Sequence, residues 1–246
     1  MSRDVISRSA VDTGKKIAVQ RMMLLIFSLV CFIELSGCAT PQPKVSDGPR
    51  RFALTPLADM SEAQRAVAIA IMTGPRAAAG SPAAAAGATS LSSPFNVWIR
   101  RPELANHLQQ LGEYIRFRSS LPKRLNEFAI LILAQKWNAQ YEWFAHHRLA
   151  MAAGLDPVVA DDLANGKMPS AMQADEKIIY AFTTELLDQH HVSDATYQLA
   201  LASFGEEGIA DLIAVDGYYT LVSMTLNVDR TPVPSGAGSR LPNALK

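Results

Sequence analysis

Cysteine is scarce in this sequence of 246 residues and occurs only as Cys31 and Cys38. Both lie within the first 40 residues, so the rest of the chain has no thiol for a disulfide framework, a cysteine zinc cluster or thiol catalysis. Net charge is absent as well, because 23 Lys+Arg residues balance 23 Asp+Glu residues. Without a basic field, the chain lacks the main electrostatic driving force for binding phosphate backbones. We therefore expect no nucleic-acid partner.

Sustained alternation of polar and apolar residues, the pattern of half-buried strands, is also missing. Helical periodicity takes its place. Leu104, Leu108, Leu111 and Ile115 recur at spacings of four, three and four, which predicts a helix with one apolar stripe over 102–117. The segment 128–134 in the next helix, predicted over 122–137, is apolar on all sides and belongs in the core. Further helices are predicted over 61–72, 138–153, 157–165, 175–189, 193–204 and 207–227. The sequence therefore predicts an all-α domain of about seven or eight helices.

The N-terminus has the pattern of an export signal. Residues 22–33 form an apolar run of 12 residues behind Lys15, Lys16 and Arg21, the length of a signal-peptide hydrophobic region rather than of a membrane span. The tetrapeptide that follows, 35–38, is Leu-Ser-Gly-Cys and resembles the lipobox of bacterial lipoproteins. The resemblance implies cleavage before Cys38 and acylation of its thiol, which holds a protein stably on a bilayer. The alternative is an uncleaved anchor.

These features divide the chain into four parts. We predict a lipoprotein signal peptide over 1–37, the acylated Cys38 with a flexible tether over 38–58, a helical domain over 59–230 and an irregular tail over 231–246. Because Ala39 rather than aspartate follows the cysteine, resemblance to Gram-negative lipoproteins implies an extracytoplasmic location on the periplasmic face of the outer membrane.

Three titratable residues stand out in the predicted core. Glu127 lies in the most apolar helix, where a carboxylate is costly unless it is paired. Glu142 and His146 are four residues apart on the next helix and therefore share a face. A short connection makes the two helices an antiparallel hairpin, in which Glu127 can face the other two side chains and form an acid–base pair with the imidazole. The alternative is an exposed ion pair of Glu142 and His146, with Glu127 bonded to a backbone amide.

The spacing of these residues resembles a known family. Glu127 is followed by eleven residues and then by Ala139, Tyr141, Glu142 and His146. This resembles the carboxymuconolactone decarboxylase and AhpD-like alkylhydroperoxidase superfamily, whose peroxidase branch has Glu, eleven residues, C-x-x-C and then a His. Ala139 and Glu142 stand where the two cysteines would be. The resemblance implies an AhpD-like helix bundle, and it covers most of 55–230.

The missing cysteines decide between the branches of this family. Peroxide reduction needs a reactive thiolate and a resolving thiol, and neither alanine nor glutamate supplies one. The resemblance then implies the decarboxylase branch, which removes carbon dioxide from a small carboxylated lactone without a cofactor, with Glu127, Glu142 and His146 as catalytic residues. A non-catalytic binding or assembly lipoprotein is the alternative, and an AhpD-like peroxidase is the least favoured reading.

Candidate substrate-binding residues flank the hairpin. Arg116 and Arg118 end the preceding helix and can orient a carboxylate, although solvated arginines are also common at a helix C-terminus. Trp137 and Tyr141 flank the hairpin turn and are candidates to line a pocket. We expect neither a metal site nor a cofactor. By resemblance, and because the last helix is rich in apolar residues, we expect a homo-oligomer, a trimer or a hexamer, that binds a small-molecule substrate.

Overall fold

The structure is a computed structural model that describes residues 48–79, 87–236, 238 and 240–242. Within them the secondary structure is helical, with only one isolated antiparallel bridge, between Pro56 and Ser90. The all-α prediction is therefore confirmed. The predicted signal peptide and the predicted lipidation site, Cys38, lie outside the described residues.

Nine α-helical segments follow a 3₁₀ turn at Leu57–Asp59 in this part of the chain, and two of them are single turns. Their bounds are α1 Glu62–Thr73, α2 Pro75–Ala78, α3 Phe95–Trp98, α4 Pro102–Phe117, α5 Lys123–Lys136, α6 Gln140–Ala152, α7 Pro157–Ala164, α8 Ala174–Gln189 and α9 Asp194–Asp229.

Helix ends follow local signals in the sequence. Ser61 caps α1 in a reciprocal capping box with Gln64, and the Asp156 side chain accepts a hydrogen bond from the first turn of α7. Gly205 has a φ of 67°, so it interrupts α9 where the sequence predicts a break between two helices. Each of these features satisfies or redirects backbone groups that a helix end leaves unpaired.

Helix α5 is the centre of the core. Every side chain from Phe128 to Ala134 is fully buried, and the helix packs against α6, α8 and α9. Burying one such large apolar side chain contributes about 1.5–3 kcal/mol. The core therefore fixes the orientation of α5, and with it the position of any polar side chain that the helix carries.

The apolar stripe of α4 only partly faces this core. Ile115 is buried, but Leu104 and Leu111 are 50% and 42% exposed. Small or polar residues, Ala105 and Gly112 among them, contact the core instead. The helix is turned so that Gly112, rather than Leu111, faces α9. At that position the Tyr218 side chain of α9 leaves no room for a Cβ atom.

The predicted tether over 38–58 is too long. The amide nitrogen of Phe52 donates to the buried Asp229 side chain (3.1 Å), and that of Thr55 donates to Asn96 (3.0 Å). Arg50 forms an ion pair with Asp229 at 3.1 Å. Residues 50–58 are therefore part of the folded domain, held against its surface by side chains that lie far away in the sequence.

Helix α9 is the one described helix with the length and hydropathy to cross a membrane. It is bent at Gly205, and 56% of its most apolar window is buried within the fold. Many of its apolar side chains, including Leu212, Val215 and Leu226, pack in the common core. These features are those of a core helix.

Candidate active site

The hairpin of α5 and α6 brings Glu127 and His146 together. Ala139 immediately precedes α6, and Asn138 has a φ of 47°, so the chain reverses within a few residues. Nδ1 of His146 lies 2.6 Å from Oε2 of Glu127, and the His146 side chain is only 8% exposed. The predicted pairing across the hairpin is therefore present. A carboxylate can only accept a hydrogen bond, so Nδ1 of His146 carries the hydrogen that is donated to Glu127. The other ring nitrogen, Nε2, faces away from Glu127.

Glu142 lies on that other side of the imidazole. Its Oε1 is 3.3 Å from Nε2 of His146, is buried and has no hydrogen-bond partner among the described residues. Burial raises the pKa of the Glu142 carboxyl, while the neighbouring His146 and Arg116 lower it. With Glu142 3% and His146 7% exposed, the pair is not an exposed ion pair on a solvated face.

The opposite wall of the site is cationic and aromatic. A cavity of about 70 Å³ is lined by Glu142 and His146 and also by Arg76, Arg116 and Tyr218. Arg76 is 3% exposed and donates to the carbonyl oxygen of Gln109 at 3.0 Å. The pocket therefore combines acid–base groups with two guanidinium groups.

Gly112 makes room for this wall. A Cβ at position 112 would lie 2.2 Å from the Tyr218 hydroxyl oxygen and 2.8 Å from Nη2 of Arg76. Both side chains thus approach the α4 backbone more closely than any residue other than glycine allows. The Tyr219 ring, next along α9, meets the His146 ring edge-on at a centroid distance of 5.0 Å.

A loop completes the pocket between these walls. Ser92, Ser93 and Tyr141 line it, and a hydrogen bond joins Ser92 to the Tyr141 hydroxyl. Burial raises the pKa of Tyr141, so this phenol is neutral and can act as a donor. Ser93 donates to Asp229 at 2.5 Å, which anchors the loop to the end of α9.

Of the four predicted substrate-binding residues, Arg116 and Tyr141 line the pocket, and Arg118 and Trp137 do not. Arg118 follows the last turn of α4 and is exposed, with its guanidinium over the Tyr114 ring. Two residues along a helix rotate a side chain by about 200°, so Arg116 and Arg118 cannot face the same pocket. Trp137 ends α5 on the side of the hairpin turn, where its carbonyl oxygen accepts from Asn227.

Arg76 and Ser92 are pocket residues that the sequence did not point to. Both belong to the Ala-, Gly- and Ser-rich stretch between α1 and α3, which has no periodicity from which burial can be inferred. Tyr218 lies on the last helix, whose apolar content predicted an oligomer interface, but its side chain is buried and lines the pocket. A single arginine within an alanine-rich segment was the one available signal.

The donor groups of the site do not converge on a metal position. Glu127 and Glu142 approach opposite nitrogens of the same imidazole, so the three groups point at the ring rather than at a common point. In the described part of the chain, no group of three His, Cys, Asp or Glu side chains is arranged to hold a metal ion.

A larger cavity, of about 310 Å³, lies beside the Gly205 bend and has different chemistry. Its lining is both apolar and polar, and its carboxylate, Asp175, forms an ion pair with Arg124 at 2.6 Å. The apolar lining residues include Leu121, Leu125 and Phe204, and the polar ones include Ser120 and Ser203. It contains no imidazole. The smaller pocket is therefore the candidate active site, because it holds adjacent groups able to transfer protons.

Sequence comparisons do not identify the protein. No family model matches the chain, and no curated protein matches it significantly. Solved structures do match. One is the AhpD core of an uncharacterized peroxidase-related protein from Ralstonia eutropha JMP134, with 16% identity and a TM-score of 0.61, covering 77% of this chain and 95% of that one.

A second match is an uncharacterized peroxidase-related protein from Silicibacter sp. TM1040, with 16% identity and a TM-score of 0.56, covering 84% of this chain and all of that one. At this level of identity, the similarity concerns the fold. The expected helix bundle is confirmed: the chain adopts the fold of the alkylhydroperoxidase AhpD core.

Proposed function

We propose that the protein is a cofactor-free enzyme of the decarboxylase type, which transfers protons to and from a small carboxylated lactone or related organic acid. The observation that carries the proposal is the position of His146 between Glu127 and Glu142 at a pocket wall. Burial raises the pKa of the Glu142 carboxyl, which is the direction that favours a general acid near neutral pH.

Each side chain has a distinct role in this proposal. Glu127 orients the imidazole by accepting from Nδ1, as the buried carboxylate does in a catalytic triad. Glu142, whose pKa is raised by burial, is the acid that faces the substrate. His146 returns a proton to Glu142 through Nε2 after each turnover.

The reaction follows from these roles. The bond between the substrate carbon and its carboxylate breaks, and carbon dioxide leaves. The electron pair of that bond stays on the substrate as an enolate, conjugated with the lactone carbonyl. Glu142 then protonates the enolate carbon, and a proton from water, passed on by His146, restores the acid.

A thiol peroxidase is not supported. Ala139 and Glu142 occupy the positions of the family's cysteines, and the two cysteines of the chain lie at or before position 38. Thiol-dependent hydroperoxide reduction that persists in a Cys38→Ser variant would contradict this interpretation.

The decarboxylase proposal is tested by a turnover screen. Protein purified in detergent is incubated in D₂O with a panel of carboxylated lactones and small carboxylic acids, and carbon dioxide release is measured. We expect one acid to release carbon dioxide and to gain one deuterium at the carbon that lost the carboxylate. The matched control is Asp216→Asn, which alters an equally buried carboxyl outside the pocket. Binding of acids without release of carbon dioxide would favour the non-catalytic alternative.

The same proposal includes lipid anchoring at Cys38 and a location on the periplasmic face of the outer membrane. It is supported by the apolar run at 22–33 and the lipobox-like tetrapeptide at 35–38. Mass spectrometry of the membrane-extracted protein should show an acylated Cys38 as the N-terminal residue. An intact Met1 with an unmodified Cys38 would contradict it.

We also propose a homo-oligomer, a trimer or a hexamer. Tyr218, Val222 and Leu226 pack within their own chain, so they supply no interface. Leu221 and Met224 on α9 remain 37% and 42% exposed, and Leu104 and Leu111 on α4 are exposed too. Light scattering of the protein with its lipid removed should give an oligomer at micromolar concentration, and Met224→Lys should weaken it. A monomer of the wild-type chain would refute this part.

A further inference from the structure

Two guanidinium groups share the candidate active site. Arg76 comes from the single turn α2 and Arg116 from the end of α4, and both line the same cavity as Glu142 and His146. Burial lowers the pKa of Arg76, and the charge of Arg116 lowers it further, while Tyr218 and Glu113 raise it. Two like charges are therefore held close together in a confined space.

Neither guanidinium forms an ion pair with a carboxylate in the described part of the chain, and Glu113 attracts Arg76 only at longer range. Arg76 donates to the backbone carbonyl and side-chain amide of Gln109 and to the Tyr218 hydroxyl oxygen, all of which are neutral groups. Nε of Arg116 is buried and has no hydrogen-bond partner among the described residues. Arg76 is buried, whereas Arg116 is half-buried and its guanidinium lies over the Phe117 ring. A cation as buried as Arg76 is normally paired with a carboxylate, since leaving it unpaired is costly.

The acidic groups of the site do not neutralise this charge. The Glu142 carboxyl tends toward its neutral form because it is buried, and Glu127 is bonded to His146. Tyr218, whose oxygen accepts from Arg76, keeps its own hydrogen to donate into the cavity, because burial and nearby Glu142 hold its pKa at about 12.

We propose that Arg76, Arg116 and Tyr218 form an anion-binding subsite that takes the carboxylate of a compact monoanionic ligand. The guanidinium fork matches the two oxygens of a carboxylate, and a cavity of about 70 Å³ suits a small acid. The carboxyl group of Glu142, which lines the same cavity, disfavours a second negative charge, so a carboxylate fits better than a phosphate dianion. This subsite rests on the proposed function only for its use in turnover and not for the binding itself.

Anion binding to the full chain in detergent tests the subsite. Acetate, propionate, benzoate and inorganic phosphate are titrated by calorimetry at neutral pH, and Trp98 fluorescence gives a second readout, because its ring lies 6.1 Å from that of Tyr218. We expect a carboxylate to bind, and phosphate to bind at least tenfold more weakly. Lack of binding by every carboxylate, or a preference for phosphate, would overturn the proposal.

Variants locate the binding. Arg76→Gln and Arg116→Gln should each weaken carboxylate binding at least tenfold, and Arg76→Lys should keep part of it, since lysine retains the charge but loses the planar fork. Arg148→Gln is the matched control, because Arg148 is exposed on α6 and does not line the pocket. Thermal unfolding of each variant confirms folding, and Arg116→Gln provides an independent result if Arg76→Gln does not fold. Unchanged affinity in a folded variant would overturn the proposal.

The two proposals fail in different ways. Carboxylate binding that depends on Arg76, with no carbon dioxide released from any acid, would refute the decarboxylase and leave the subsite standing. Turnover that depends on His146 but is indifferent to Arg76→Gln and Arg116→Gln would refute the subsite and leave the decarboxylase standing.

Discussion

Glu142 and Asp216 are two carboxyl groups that the fold buries to the same extent, each 3% exposed, in different surroundings. Glu142 faces a cavity and lies beside the imidazole of His146. Asp216 lies on α9 and faces α8, where Oδ1 accepts from the Thr183 hydroxyl at 3.2 Å and Oδ2 has no partner in the described residues. Burial raises both pKa values, that of Asp216 to about 8.

The comparison shows that a raised carboxyl pKa is not enough to mark a candidate catalytic residue. The Asp216 carboxyl also has a raised pKa. Its hydrogen-bond partner is a hydroxyl rather than a base, however, and it lies outside the candidate pocket. Glu142 has a raised pKa, a neighbouring base in His146 and a position in the pocket lining. A raised pKa therefore identifies an active-site residue only where a partner base and a cavity accompany it.

The largest expected effect concerns Asp216 and stability. The folded protein holds its proton up to about pH 8, whereas the unfolded chain releases it near 3.8. The unfolded state thus binds fewer protons between these values, and Asp216 destabilises the fold by about 1.4 kcal/mol for each pH unit as the pH rises from about 4 to about 8. Asp216→Asn, which stays neutral, should be more stable than wild type at pH 8 by several kcal/mol, in the order of 5 at most.

Urea unfolding from pH 5 to pH 9 measures this effect. The advantage of Asp216→Asn should shrink steadily as the pH falls. Asp188→Asn, at an exposed position paired with Lys136, should change stability by only about 0.5 kcal/mol and serves as the control. An advantage that is independent of pH would show that Asp216 is not the group that titrates.

The next effect should be on activity and confined to the pocket. Glu142→Gln and His146→Ala should each lower turnover of the substrate found in the screen by about 10²- to 10⁴-fold, the usual contribution of a positioned acid or base. Glu127→Gln should also lower it, non-additively with His146→Ala, because Glu127 acts through the imidazole. Asp216→Asn should leave turnover unchanged at pH 6. Equal losses for Asp216→Asn and Glu142→Gln would remove the distinction between the two carboxyl groups.

The sequence predicted the acid–base half of the site because that half is local. Glu127, Glu142 and His146 lie on two consecutive helices, and helical spacing with a short turn determines which faces meet. The core helix was predicted for a similar reason. Its run from 128 to 134 is apolar on every face, so the helix must be surrounded by other helices to keep these side chains out of water.

The cationic wall was not predictable in this way. Arg76 reaches the pocket from a single helical turn, and its position depends on Gly112 and Tyr218, which lie about 40 and 140 residues further along the chain. Arg118 was placed with Arg116 by proximity in sequence, and helix geometry separates them. Long-range packing therefore decides the part of the site that we propose binds the carboxylate.

A third prediction compares the two carboxyl groups directly. His146 lowers the pKa of Glu142 through its charge, so His146→Ala should raise the pKa of Glu142 further. The pKa of Asp216 should not move, because burial and the Thr183 hydrogen bond account for it. Carboxyl-carbon NMR titrations of selectively labelled protein measure both. A parallel shift of Asp216 would indicate a general change in the fold rather than the loss of a neighbour.

The smallest expected effect concerns the one hydrogen bond that Asp216 receives. Thr183→Val keeps the shape of the side chain and removes the hydroxyl that donates to Oδ1. Because this bond lowers the pKa of Asp216, its loss should raise that pKa and cost about 0.5–1.5 kcal/mol of stability above pH 8, where the carboxyl is charged. In the Asp216→Asn background the same change should cost less and show no pH dependence across this range, since no charge remains to be stabilised. A double-mutant cycle in urea at pH 5 and pH 9 measures the difference, and a coupling energy that is equal at both pH values would mean that Asp216 does not change its charge between them.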